Sequence, residues 1–411
     1  MAPTKKDEED VMLGMYIKTG SRCEEDNKSG LAHFLEHMLF RGYNAKFALQ
    51  TLDNMGADYN AWTFEETVSF LIQVEHAHFE TALSILSDMI VRPSFTPEEV
   101  EIERGVVLQE MDMYLDNPTE MLLVDWQKLI FGEQPIGCNV VGDTEDVKNL
   151  TFTDLMEFWN RFYVPKNMVL VVSGNVPKNV EETEETVDEY FYFPDKRLKP
   201  KRVWVPFEKD LVGKKRVNIH SNRMRQAQFI LGTLAPSIKN DLTYPAHVLA
   251  RILGTDFSSR LFMAVREKEG LAYEVSVDHN PYSDTGCFTI KSGVNPKNID
   301  RAIELIAREL KDVYVNGISG KELKKVKTSL VAQYRRDFDD IETLTDLMGM
   351  HELFFREVMV PEKIIAELDS VTIEDVNKVA KMMFAPENLR LAIIGPLDED
   401  DTERFEKLLK Y

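Results

Sequence analysis

Apolar positions along the chain recur with two different spacings, and together they predict a mixture of strands and helices. Short apolar runs, such as residues 168–173 and 389–394, end at a glycine and predict strands. Longer stretches, such as residues 97–114, repeat apolar residues every three or four positions, as amphipathic helices do. Strands and helices come in groups rather than in strict alternation. The pattern therefore predicts an α+β fold with largely antiparallel sheets.

An internal repeat relates the two parts of the chain. Residues 150–176 and 371–397 both contain a Thr before an apolar-periodic helix, a Pro that stops the helix, and an apolar strand. We therefore expect two homologous domains, each a largely antiparallel sheet packed with helices, arranged as a clam-like pair. The predicted boundaries are a first half at 1–192, a proline-rich and basic linker at 193–212, and a second half at 213–411.

Length, composition and charge narrow the class of protein. A chain of 411 residues is too long for one ordinary core, which favours two domains. The hydrophobic fraction of 44% is that of a folded globular protein. A net charge of −21 repels nucleic acid and anionic membranes, so neither is an expected partner. Three separated cysteines without a C-x-x-C pair suit a reducing compartment. Without a leader pattern or a long apolar run, we expect a cytoplasmic protein.

The candidate chemistry begins in a predicted helix at residues 31–42. His33 and His37 are four residues apart, so both imidazoles project from one face of that helix and can bind a single ion. Glu36 lies on the same side, placed to take a proton from a metal-bound water molecule. This is the H-x-x-E-H arrangement, the inverse of the H-E-x-x-H zinc motif. The alternative is that the five-residue match arises by chance or packs in a core.

A catalytic zinc needs a third protein ligand and an open position for water. The predicted helix 97–114 has an apolar stripe through Val100, Val107 and Tyr114, and its period places Glu103 and Glu110 on the same face. Carboxylates in an apolar stripe are costly unless a positive group meets them. We assign Glu110 as the third ligand and Glu103 as a supporting carboxylate. The alternative is that both glutamates pair with Arg or Lys from the other half.

The repeat distinguishes the two halves chemically. The segment Ala32–His37 aligns with Ala246–Arg251, which keeps the first histidine but has Ala250 in place of the base and Arg251 in place of the second histidine. Gln333 falls opposite Glu110. The pattern indicates one active half and one degenerate half.

These residues and their neighbours resemble the pitrilysin, insulysin and mitochondrial processing peptidase family of inverted-motif zinc peptidases. The resemblance covers nearly the whole chain. Its segments follow the family's order: GSRCEEDNKSGLAHFLEHMLFRG at 20–42, GADYNAWTFEETVSF at 56–70, ERGVVLQEM at 103–111 and SSRLFMAVREKEGLAYEV at 258–275. Members of the subgroup with one pair of halves per chain commonly work as dimers, so the resemblance implies a homodimer or a heterodimer with a related chain.

The resemblance also implies a role for each matching residue. One zinc ion per chain would be bound by His33, His37 and Glu110, with Glu36 as the base and Glu103 as the supporting carboxylate. It further implies that Asn60 and Ala61 hold the substrate backbone. Arg266 and Tyr273 of the second half would then reach the substrate and the developing oxyanion.

The sequence thus predicts a zinc-dependent endopeptidase that hydrolyses peptides or unfolded segments. A non-catalytic partner or scaffold subunit of a peptidase complex is the main alternative, and a hydrolase of small non-peptide substrates is a weaker one. Nitrogen and carboxylate ligands also accept manganese or cobalt.

Overall fold

A computed structural model of the chain describes residues 9–41, 43–193, 204–254 and 256–410. They form two compact units. The first unit contains the described residues up to Asp112, those within Asn139–Val205 and those within Arg335–Pro361. The second contains the described residues of Met113–Cys138, Pro206–Tyr334 and Glu362–Tyr411. Each unit is a sheet packed with helices, so the predicted α+β class is confirmed.

Strands and helices are numbered in chain order. The strands are β1 (Asp10–Ile17), β2 (Asp58–Thr63), β3 (Val68–Glu75), β4 (Met168–Gly174), β5 (Val217–Ser221), β6 (Ala227–Leu234), β7 (Ala272–Pro281), β8 (Gly286–Val294) and β9 (Arg390–Gly395). The α-helices are α1 (Leu31–Leu39), α2 (Tyr43–Met55), α3 (Phe79–Val91), α4 (Pro97–Asp116), α5 (Pro118–Phe131), α6 (Thr144–Asn149), α7 (Phe152–Phe162), α8 (Val180–Tyr190), α9 (Thr243–Leu253), α10 (Ile299–Asn316), α11 (Gly320–Asp337), α12 (Ile341–Phe355), α13 (Pro361–Ser370), α14 (Ile373–Met383) and α15 (Thr402–Leu408). A π-helical segment covers Phe262–Glu267.

The first unit is built on a four-stranded antiparallel sheet in the order β2-β3-β1-β4. Alternate residues of β1 point to opposite faces, as the two-residue period of a strand requires. Leu13 and Met15 enter the main core beneath α1, α3 and α7, whereas Met12 and Tyr16 enter a smaller core on the other face. Both faces of β1 are therefore covered, which explains its continuous apolar sequence.

The second unit has a five-stranded sheet in the order β5-β9-β6-β8-β7. Strand β5 runs parallel to β9, and the other pairs are antiparallel. A bulge interrupts the pairing of β7 between Ala272 and Val275. Helix α9 packs against β7 and α14, and α14 packs against α10.

Two helices pack outside their own half of the sequence. Helix α12, from the second half, covers the outer face of β1 and β4, where the Tyr16 hydroxyl donates to Asp346 Oδ1 at 2.5 Å. Helix α5, from the first half, packs on β6 and β9, and Trp126 fills the space above Gly232. The predicted linker at 193–212 separates the two halves of the sequence. The compact units do not follow that division, because α5 belongs to the second unit and α12 to the first. Residues 194–203 of the predicted linker lie outside the described residues.

Both copies of the sequence repeat form the same elements. Thr151 and Thr372 begin α7 and α14, and each makes a reciprocal capping box with the aspartate three residues later. A proline-started turn follows each helix, and β4 or β9 then enters the sheet. The repeat therefore gives each sheet an equivalent helix and strand, although β4 is an edge strand and β9 lies between β5 and β6.

A candidate metal centre

The first unit carries the inverted motif on α1. Leu31, Phe34, Leu35 and Met38 are buried in the core, which leaves the polar residues of the motif on the remaining face. The helix begins after Gly30, whose φ of 88° is a conformation that glycine adopts without strain. The histidines of α1 can therefore bind a ligand on the face of the helix that is turned away from the core.

His33, His37 and Glu110 come together as the sequence predicts. One donor atom from each lies within 4.8 Å of the others. His33 Nε2 is 3.8 Å from Glu110 Oε1, and His37 Nε2 is 3.1 Å from Glu110 Oε2. Two imidazole nitrogens and a carboxylate oxygen are a donor set that suits zinc, with room for a further ligand. The three residues thus fit a divalent metal. Two of them are on α1, and α4 supplies Glu110.

Glu103 lies behind this group and orients one histidine. His37 Nδ1 is 3.0 Å from Glu103 Oε1, and the Arg41 guanidinium makes an ion pair with the other carboxylate oxygen. Such a carboxylate commonly fixes the orientation of a metal-binding imidazole. The alternative that Glu103 pairs with a cation from the other half is wrong, because Arg41 follows α1 in the same unit. No pattern in the sequence pointed to Arg41.

The apolar stripe of α4 is only partly as predicted. Val100, Glu103 and Val107 are buried, but Tyr114 is 36% exposed, and Met111 is buried in its place. A seven-residue repeat drifts by about 20° per heptad around a straight helix, so a stripe drawn at that spacing leaves the buried face. Glu110 lies at the margin of this face, where its carboxylate is partly exposed.

In the metal-free protein, His33 and His37 differ in charge. Burial, assisted by repulsion from His37, lowers the pKa of His33 to about 4, so this imidazole is neutral at pH 7. Burial also opposes protonation of His37, but hydrogen bonds with Glu103 and Glu110 outweigh it and raise the pKa to about 9. In turn, the hydrogen bond from His37 lowers the pKa of Glu110. The group therefore holds one proton that a metal ion must displace.

Glu36 is adjacent to these residues and has a partner of its own. Burial raises the pKa of its carboxyl, while the hydrogen bond from Thr63 opposes that rise. The Thr63 hydroxyl donates to Glu36 Oε2 at 2.6 Å. A carboxylate with a raised pKa is better matched to accepting a proton near neutral pH. Thr63 is a second residue that sequence analysis did not identify.

The remaining predicted site residues are placed on two elements. Asn60 and Ala61 are on β2, at the edge of the first sheet, where Asn60 Oδ1 accepts a hydrogen bond from Ala61 N at 2.9 Å. Arg266 is in the π-helical segment of the second unit, and Tyr273 is 81% exposed at the β7 bulge. The Arg266 guanidinium donates to the Tyr273 carbonyl at 2.6 Å. The roles of these four residues in binding substrate stay predictions.

The aligned region of the second unit has a different chemistry. His247 is partly buried beside Tyr334, whose hydroxyl is 3.4 Å from His247 Nε2. Arg251 pairs with Asp256 at 2.9 Å. Over the described ranges, His33, His37 and Glu110 form the one group of metal-binding side chains that is close enough to share an ion.

The sequence is similar to those of known zinc proteases. Residues 1–143 match the family profile described as insulinase (peptidase family M16), and residues 149–330 match the peptidase M16 inactive domain. An uncharacterized zinc protease of Bacillus subtilis is 30% identical, over 94% of this chain and 93% of that protein. The chain belongs to peptidase family M16. The family predicted from the sequence is therefore confirmed.

Other relatives extend the comparison. An uncharacterized zinc protease of Mycobacterium leprae is 30% identical, over 93% of this chain and 86% of that protein. A protease from Helicobacter pylori has a similar fold, with a TM-score of 0.86 at 21% identity over 96% of this chain and 95% of that one. A structure described as the peptidase M16 inactive domain from Pseudomonas fluorescens has a TM-score of 0.87 at 18% identity, covering 96% and 94% of the two chains. Both structures are similar in fold.

In the described part of the chain, every helix is too short or too polar to cross a membrane. The predicted cytoplasmic location stays a prediction.

Proposed function

We propose that this M16 protein is a zinc-dependent endopeptidase that hydrolyses peptides or unfolded segments. The observation that carries the proposal is the convergence of His33, His37 and Glu110 beside the carboxylate of Glu36. The names of the relatives support zinc and proteolysis as a class. The metal-binding residues and the base all belong to the first unit.

His33, His37 and Glu110 would hold the zinc ion. Bound zinc supplies Lewis-acid activation of a water molecule and of the scissile carbonyl. Glu103 would keep the His37 ring oriented, because it hydrogen-bonds the nitrogen that faces away from Glu110. Glu36 would accept the proton of the attacking water and pass it to the leaving amine.

The substrate-binding part of the proposal rests on an edge strand, on the exposed side chain of Tyr273 and on the partly buried side chain of Arg266. Strand β2 carries Asn60 and Ala61 and is at the end of the sheet order, so an extended peptide could add beside it through backbone hydrogen bonds. Arg266 and Tyr273 would contact the peptide and stabilise the oxyanion. The Arg266 guanidinium donates to the Tyr273 carbonyl and lies over the Tyr273 ring, so the two side chains are next to each other.

A second candidate function is that of a non-catalytic partner subunit. It is favoured by the match of residues 149–330 to a profile of an inactive domain. That range includes His247 and Arg251 but none of His33, Glu36, His37 and Glu110. The observation therefore fits a degenerate half within an active chain. A homodimer, or a heterodimer with a related chain, is part of the proposal in either case.

The deciding experiment compares the wild type with Glu36→Gln in metal content and in digestion of a mixed peptide pool, with and without chelator. We expect Glu36→Gln to bind zinc as the wild type does and to lose peptide cleavage by a factor of about 10² to 10⁴, because a general base contributes that much. Glu98→Gln, an exposed change in the first turn of α4, is the matched control.

Unchanged turnover in Glu36→Gln would remove the assignment of the base. A wild type that binds zinc, cleaves nothing alone and activates a second polypeptide would favour the partner-subunit function.

A further inference from the structure

Thr63 occupies the last position of β2, on the face of the strand that meets α1. Alternate residues Tyr59 and Ala61 pack against the main core of the first unit, and Thr63 continues that side of the strand. Its hydroxyl donates to Glu36 Oε2 at 2.6 Å. This is a short hydrogen bond to a carboxylate, a class that is stronger than bonds between neutral groups.

The segment around Thr63 is fixed by its own backbone. Thr63 pairs with Val68 in the sheet, and Phe64 N donates to Thr67 O at 2.8 Å to close the turn between β2 and β3. Both acidic residues of that turn, Glu65 and Glu66, are buried. The hydroxyl therefore projects from an ordered turn rather than from a free loop.

Residues 20–24 hold this turn from the other side. Ser21 N donates to Phe64 O at 3.2 Å, and Arg22 N donates to Glu65 O at 3.0 Å. Arg22 is 1% exposed, and its guanidinium makes a buried ion pair with Glu66. Gly20 permits the close approach, because a Cβ there would collide with the Phe64 carbonyl.

The same segment also holds the helix that carries Glu36. The Glu24 carboxylate accepts hydrogen bonds from Gly30 N at 2.9 Å and from Ala32 N at 2.8 Å. These amides belong to the start of α1, where backbone donors have no partner within the helix. Residues 20–24 therefore bind both the turn that carries Thr63 and the helix that carries Glu36. The short distance between hydroxyl and carboxylate follows from that common support.

We propose that Thr63 is a positioning residue for Glu36, which holds the carboxylate in the orientation that proton transfer requires. The proposal rests on the endopeptidase function for its catalytic consequence. A carboxylate with free rotation about its side-chain bonds spends only part of its time in a reactive orientation. One hydrogen bond from a fixed strand removes much of that freedom.

The test compares Thr63→Val, which keeps the shape of the side chain and removes the hydroxyl, with Thr63→Ser, which keeps the hydroxyl. In zinc-loaded protein we expect Thr63→Val to lower kcat on a peptide substrate by about tenfold, with KM changed less than about threefold, because the lost bond is to a charged group. Thr63→Ser should recover most of kcat. Thr183→Val is the control, since its hydroxyl donates to the carbonyl of Asn179, the residue that caps the start of α8.

A second readout does not depend on activity. In metal-free protein, urea unfolding of the wild type, Thr63→Val, Glu36→Ala and the double variant measures the coupling between the two side chains. We expect Thr63→Val to raise the unfolding constant at least about threefold more when Glu36 is present than when it is Ala. Thr183→Val should show no such dependence on Glu36.

The outcomes separate the two ideas. Coupling with a loss of kcat and recovery by serine supports the proposal. Coupling in a wild type that cleaves no peptide supports the bond between Thr63 and Glu36 and overturns the endopeptidase function. Absence of coupling, or a Thr63→Val variant with normal kcat in an active protein, overturns the positioning role.

Discussion

From the charge state of His37 we predict how the affinity for zinc depends on pH. Hydrogen bonds with Glu103 and Glu110 outweigh the effect of burial and raise the pKa of His37 to about 9 in the metal-free protein, whereas burial lowers that of His33 to about 4. Zinc binds a neutral imidazole, so at pH 7 the proton of His37 must leave. Two pKa units correspond to about 2.7 kcal/mol.

The apparent zinc affinity should therefore depend on pH in a defined way. Between pH 6 and 8 we expect it to rise by about tenfold per pH unit and to level off near pH 9. His33 adds nothing to this slope, because it is already neutral above about pH 4. Competition with a chromogenic chelator measures the affinity. Calorimetry in buffers of different ionisation enthalpy should find about one proton released per zinc at pH 7.

Glu103→Gln supplies the comparison within the same site. It removes the carboxylate that hydrogen-bonds His37 Nδ1, so the pKa of His37 should fall and the affinity should level off at a lower pH. An affinity that stays within about threefold between pH 6 and 8, with no proton released, would refute the reasoning.

Stability of the metal-free protein should move in the opposite direction. The folded-state pKa of His37 lies above its unfolded value of 6.5, so its contribution is complete below about pH 6.5 and is lost as the pH rises through 9. Raising the pH thus favours zinc binding while it removes this part of the stability of the metal-free state.

Two further predictions concern the supporting structure. Arg22→Met should lower the free energy of unfolding by about 3 to 5 kcal/mol in urea, because it removes the guanidinium that pairs with the buried Glu66 carboxylate, and the double variant with Glu66→Leu should recover part of the loss. Thr151→Ala and Thr372→Ala should each cost about 1 kcal/mol by the same measurement, because each removes an equivalent helix cap; a loss at one position only would contradict their equivalence.

Features encoded by local periodicity were predictable from the sequence. The spacing of His33 and His37 determines their common face on α1, and the helical period places Glu103 on the buried face of α4. The repeat of Thr, helix, Pro and strand likewise leads to matching elements in the two units. In each of these cases, one short segment contains enough information to orient its own side chains.

Contacts between distant segments were not predictable in this way. Arg41 follows α1 without any pattern that links it to Glu103, and Thr63 is 27 residues from Glu36. Glu24 belongs to no recognisable periodic pattern, yet its carboxylate accepts hydrogen bonds from the backbone at the start of the metal-binding helix. The exchange of α5 and α12 was also missed, because their apolar faces do not specify which sheet they cover.

The second unit shows why a retained histidine does not preserve a metal site. His247 keeps the position of His33 on an equivalent helix, and burial followed by repulsion from Arg251 lowers its pKa, so it is neutral as a ligand must be. Its Nε2 nevertheless faces the hydroxyl of Tyr334, and Arg251 is engaged by Asp256 where a second imidazole would be needed. A cation beside the remaining nitrogen donor repels a metal ion rather than binding it. Replacing Arg251 by His alone would therefore leave Asp256 without its cation and the site still without a carboxylate equivalent to Glu110. Within the described residues, the first unit is therefore the one place where side chains lie close enough to share a metal ion.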